Sequence, residues 1–177
     1  MEDSESGRRQ AMAEEFSRLE ESAMYSAQNQ FEQAKQWRGI NLVLGLPASV
    51  LAAVSGATAL ASTAGRFWAG LLALGAAAFG AVLTTVNASH RTNQASSAAN
   101  AYLEIQTAAR QARLLDLPVT DLDEMRAALA EITARRDEQN KTAEPPNRWA
   151  RSRAQKNITT GGQIYEVDST GTGARHG

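Results

Sequence analysis

The sequence predicts an all-α membrane protein: a two-helix transmembrane hairpin flanked by cytosolic amphipathic helices. Three observations lead there. Residues 39–65 carry no formal charge over 27 positions, residues 67–90 carry none over 24 with His90 taken as neutral, and Arg66 alone separates the two runs. Tryptophans stand at the run ends, Trp37 and Trp68, where an amphipathic ring favours a membrane–water interface. Basic residues (Lys35, Arg38, Arg66 and Arg91) stand just outside the apolar stretches. Whole-chain averages conceal this pattern, because a net charge of −1 with 21% charged residues over 177 positions would suit an ordinary soluble domain.

The segment ahead of the hairpin, residues 1–38, is expected to be an N-terminal cytosolic amphipathic helix. Met12, Phe16, Leu19, Ala23, Ser26 and Gln30 are spaced 4, 3, 4, 3 and 4 apart, a coiled-coil-like seam that weakens toward its end. Its first 35 residues are polar and acidic, so no cleavable signal peptide is expected there and insertion falls to the internal runs.

Residues 39–90 form the expected hairpin, with spans over about 40–61 and 67–88. A helix rises about 1.5 Å per residue and a bilayer core is about 30 Å thick, so roughly 20 residues cross it. Both runs exceed that length, and in lipid they must be helical because every backbone N–H and C=O has to be satisfied internally. The interruption near Ser62–Arg66 is too short for anything but a tight turn, which makes the pair antiparallel. Pro47 is expected to kink the first span. The rival is a soluble bundle with two buried helices, since Ala and Gly are only weakly hydrophobic; the lack of a polar stripe weighs against it. Orientation follows from Arg18, Lys35, Arg38, Arg91 and Arg110 flanking the outer ends, against Arg66 alone in the turn. By the positive-inside rule both termini are cytoplasmic, in a multi-pass protein of a bacterial inner membrane.

After the hairpin, residues 91–144 read as a cytosolic helical pair. Ala98, Tyr102, Ile105, Ala109 and Ala112 repeat the seam, and Leu122, Met125, Leu129 and Ile132 form a second stripe. Pro118 separates the two helices, Thr120 with Asp123 has capping-box character, and Pro145–Pro146 ends the second. Residues 145–168 are expected to hold a short helix and a strand over Gln163–Asp168, and residues 169–177 a disordered tail.

Catalysis is not expected. The two histidines, His90 and His176, lack triad partners, no cysteine is present for thiol or thiolate-metal chemistry, and no phosphate-binding glycine loop occurs. Neither a cofactor nor a metal site is expected. The hairpin carries the informative residues. Small side chains recur at four-residue steps at Ala48, Ala52 and Gly56, and at Ala69, Ala73 and Ala77 with Gly80 in the adjacent row. Such rows allow close helix approach in lipid, within the hairpin or in a homo-oligomer. Asn41, Ser49, Ser55, Thr58, Thr84, Thr85 and Asn87 place polar groups in the spans. They either bond back along their own helices or line a pore in an assembly. Seven bases against three acids between Arg135 and Lys156 leave a net of +4; Arg148, Arg151, Arg153 and Lys156 are candidate anion contacts, for a headgroup or a nucleotide, if the stretch is more than a solvated basic surface.

The run SAMYSAQNQFEQAKQWRGINLVLGLPASVLAAVSGATALAS, the residues Asn87, Ala98, Tyr102 and Arg110 after it, and the ending LAEITARRDEQNKTAEPP…ITTGGQIYEVD together resemble the SLATT domain, the two-transmembrane effector domain associated with SMODS and SLOG modules. The likeness covers roughly residues 12–168 and rests on the order of these elements, not on one motif. It implies a pore-forming effector of a bacterial anti-phage system, triggered by an associated nucleotide signal or sensor protein, with no catalytic residues. Its partners would be the lipid bilayer and further copies of the chain, and no nucleic acid. The alternative is a membrane-anchored adaptor whose cytosolic helices recruit a partner.

Overall fold

The computed structural model describes residues 2–61 and 65–159, and the regular structure among them is helical. Five α-helices follow one another: α1 (Glu2–Ala61), α2 (Gly65–Val86), α3 (Ala88–Gln111), α4 (Leu122–Thr142) and α5 (Arg148–Thr159). A π-helical turn, Ala112–Asp116, follows α3. The strand expected over Gln163–Asp168, the tail 169–177 and residues 62–64 of the expected turn lie outside the described residues.

The amphipathic segment and the first apolar run are one helix rather than two. Nothing between Ala34 and Arg38 breaks it, since Ala, Lys, Gln and Arg are good helix formers. Pro47 lies inside α1 and is accommodated there, although its missing N–H leaves the Val43 carbonyl without its usual donor.

The chain divides into two compact units: residues up to Glu32 together with those from Ala95 onward, and Gln33–Gln94. The first unit is a helical bundle. Its core joins Met12, Phe16, Leu19, Ala23 and Ala27 of α1 to Tyr102, Ile105 and Ala109 of α3 and to Leu122, Met125 and Ile132 of α4. Ala27 takes the seam position expected of Ser26, which is half-buried. A step of four residues rotates about 40° from Ala23 and a step of three about 60° the other way, so the apolar methyl lies nearer the core direction. Tyr102 is buried, and its hydroxyl donates to Asn140 Oδ1 at 2.7 Å.

Two polar contacts fix the far end of this bundle. Arg9 donates to the carbonyls of Leu117 and Thr120, acceptors that no helix would otherwise satisfy. Arg113 pairs with Glu20 at 2.9 Å in a partly buried site. The cap of α4 is Asp121, not Thr120: its carboxylate accepts from Asp123 N at 2.8 Å. Asp is the stronger cap here because its charge also faces the positive end of the helix dipole. Asn147 caps α5 in the same way, accepting from Ala150 N at 2.8 Å just after Pro145–Pro146.

In the second unit, the latter part of α1 packs antiparallel on α2. Ser55 Oγ donates to the Ala69 carbonyl at 2.8 Å. A Cβ at Gly75 would stand 3.5 Å from Leu51 Cδ1, and one at Gly45 would stand 3.9 Å from Leu83 Cδ2. Asn41 and Ser89 meet at 3.3 Å, and the Arg91 guanidinium lies 4.8 Å from the Trp37 ring. α2 ends at Asn87, whose φ of 51° is left-handed, and α3 begins at the next residue. Asn tolerates that conformation better than other residues with a Cβ.

Burial pushes the Tyr102 hydroxyl above its ordinary pKa near 10, with the Arg136 cation opposing in part. The folded form thus resists ionisation that the unfolded chain accepts, so the associated stability is intact below pH 10 and is lost as pH rises beyond it. Unfolding midpoints measured across pH 8–11 should fall in the wild type above about 10 and fall less steeply in Tyr102→Phe. That variant should start about 1 kcal/mol lower at neutral pH, for the lost hydrogen bond.

Candidate functional site

The hairpin unit sorts its sequence into three faces. One is the inter-helix contact, built from Leu51, Ser55 and Gly45 against Gly75, Ala69 and Leu83. Another is apolar and uncovered: Val43 and Leu74 are each 69% exposed and Phe67 is 75% exposed. Both apolar segments are long enough to cross a membrane, and their most apolar windows are almost entirely unburied, unlike the core helices of a soluble bundle.

The third adjoins the contact, shares its arc with Gly45 on α1, and carries the small residues. Of those singled out in the sequence, Ala69 is buried in the helix contact and Ala48 is half-buried. Ala52, Gly56, Ala73 and Ala77 are exposed, and neither Gly56 nor Gly80 has an atom within 4 Å of where a Cβ would stand. The hairpin therefore closes on Gly45 and Gly75, which sequence reading missed, and leaves most of the small-residue rows open. On a helical wheel the two sets overlap, since Gly45 falls between Ala52 and Gly56 on α1 and Gly80 falls about 20° from Ala69 on α2.

The polar groups divide similarly. Ser55 is buried and bridges the helices, and Asn41 bonds Ser89. Ser49, Thr58, Thr84 and Thr85 donate instead to the carbonyls of Gly45, Val54, Gly80 and Ala81, each four residues back on the same helix, at 2.7–2.9 Å. Ser49, Thr84 and Thr85 are exposed and Thr58 is half-buried. Asn87 is exposed and serves as the left-handed joint. The structure thus does not bring the seven polar residues into one cluster within a single chain.

In the other unit, α5 exposes Arg148, Arg151, Arg153 and Lys156, and the Arg153 guanidinium lies over the Trp149 ring at 4.1 Å. Among the described residues no group of three or more His, Cys, Asp or Glu side chains is arranged to hold a metal ion. Compared with known proteins, the chain matches no family model, no curated protein and no solved structure.

The two glycine environments give a direct test. Gly75→Leu should open the hairpin, read as faster amide exchange in α2 of the solubilised protein, because its side chain would overlap Leu51. Gly80→Leu should leave that exchange unchanged and lower the yield of cross-linked oligomers in membranes, with Leu72→Ala as the control. Equal oligomer yields for Gly80→Leu, Ala77→Leu and Leu72→Ala would remove the small-residue rows as an interface.

Proposed function

We propose that the protein is a non-enzymatic membrane effector, whose hairpins assemble side by side and permeabilise a bacterial inner membrane with both termini in the cytoplasm. The observation that carries this reading is the uncovered face of the hairpin. Small residues and hydroxyls that the helix contact leaves uncovered occupy the same unit as a largely apolar exterior. Lipid satisfies the apolar exterior, but it gains little from alanine and glycine rows, which favour close helix–helix approach instead. Assembly along the α2 row would bring Thr84 of several copies near a common path, since it lies between Ala73 and Ala77 on the helical wheel. The resemblance to the SLATT domain supports the same outcome in anti-phage defence, with a nucleotide signal or a sensor protein as trigger.

The adaptor reading has its own observation. Leu114, Leu115 and Val119 are exposed at the turn between α3 and α4, with Val119 84% accessible. An apolar tip of this kind suits a partner protein.

Voltage-sensitive dye recordings separate the two. Expressed at high level in bacteria, the wild type should depolarise the inner membrane before lysis. Thr58→Val with Thr84→Val should reduce the depolarisation at equal membrane content, since an ion path loses polar partners while each helix keeps its shape. Asn87 is best left intact in this experiment, because Asn87→Leu would strain the left-handed joint by on the order of 1–3 kcal/mol and confound the result. A wild type that never changes the membrane potential favours the adaptor.

A further inference from the structure

Helix α5 is two-sided. At about 100° per residue, Ala150, Ala154, Asn157 and Ile158 fall on one side and the remaining side chains fall on an arc of about 200°. The first side faces its own unit: Ala150 and Ala154 are 0% and 1% exposed, and Asn157 Nδ2 donates to Glu32 Oε1 at 2.8 Å. The wide arc holds Arg148, Arg151, Arg153, Lys156 and Trp149, all exposed, and the helix contains no acidic residue. Arg153 lies flat on the Trp149 ring at 4.1 Å, so charge and indole are displayed together.

We infer that the outer face of α5 rests on an anionic lipid surface. Two observations choose this occupant over a soluble anion. The bases are spread along an exposed convex arc, which meets a plane of headgroups and encloses no single phosphate. A tryptophan is included, the side chain most at home at headgroup depth. The inference rests on insertion of the hairpin but not on pore formation. Each base near an anionic leaflet adds attraction, and tethering by the spans holds the local headgroup concentration high.

The test is amide exchange of the full chain in nanodiscs of phosphatidylcholine, with and without phosphatidylglycerol, using α4 amides as the internal reference. In wild type, residues 148–159 should exchange at least about tenfold more slowly in the anionic discs, with the difference erased by high salt. R148Q/R151Q/R153Q should lose that difference, while R148K/R151K/R153K should keep it, which separates charge from folding. Equal wild-type exchange in both discs overturns the inference, as does protection by ATP or inorganic phosphate in neutral discs without an effect of anionic lipid. A chain that inserts yet shows no lipid dependence defeats only this inference. A chain that never enters the discs defeats the membrane reading as well.

Discussion

Two helices packed against each other can cover only one stripe of each, and that limit governs the hairpin unit. The contact through Leu51, Ser55, Ala69 and Gly75 buries a narrow seam. Outside it, large side chains such as Leu42, Val50 and Leu71 are more than half exposed. Burial of apolar surface is worth roughly 25 cal/mol per Å², so a surface of this kind in water would be strongly unfavourable. Such a surface fits the two helices of this unit that are long and apolar enough to cross a membrane. The same limit keeps the seam to small residues, because Leu51 and Leu83 lie 3.5 and 3.9 Å from where a Cβ at Gly75 and Gly45 would stand, room for a methyl but not for a large side chain.

The unit formed with residues from Ala95 onward follows the opposite rule. Its helices interleave their seams from three sides, so Phe16 and Ala109 reach zero exposure. Its polar groups are matched to ends and turns: Arg9 on the carbonyls beyond the π-helical turn, Asp121 and Asn147 at helix starts, Glu20 against Arg113. Gln30 joins this pattern by donating to the Glu144 carbonyl at 2.9 Å, just where Pro145 ends regular hydrogen bonding. The charged and amide side chains that reach backbone groups here do so at helix ends and turns, as expected where helix ends are partly buried.

Periodicity made much of this legible. The seams on α1, α3 and α4 lie where apolar spacing put them, because repeated steps of three and four residues accumulate into one helix face regardless of detail. Single-residue features were harder. Ser26 and Ala27 differ by only one position, and the shift depends on rotation about the helix that a 4-3-4 count ignores. The cap at Asp121 was masked by Thr120, an acceptable cap one residue earlier. α1 runs unbroken past residue 38 because a change of solvent along a helix, from polar to apolar surroundings, leaves no mark in backbone propensity.

The hairpin's polar residues were the least legible, and chemistry explains why. An asparagine near the end of an apolar run signals a polar path or a left-handed joint equally well, and only the φ of 51° at Asn87 tells them apart. The hydroxyls pose a different problem. In donating to a carbonyl four residues back, Thr58 and Thr84 spend their only proton, yet each oxygen keeps lone pairs that accept. Such a group is tolerated against lipid because no donor is left unmet, and it serves water equally well as an acceptor. A threonine of this kind fits both the lipid-facing surface of a lone hairpin and the inner surface of an assembly. Its side chain need not change conformation between them, so what separates the two settings is the packing of Ala52, Gly56, Ala73 and Ala77 against a neighbour.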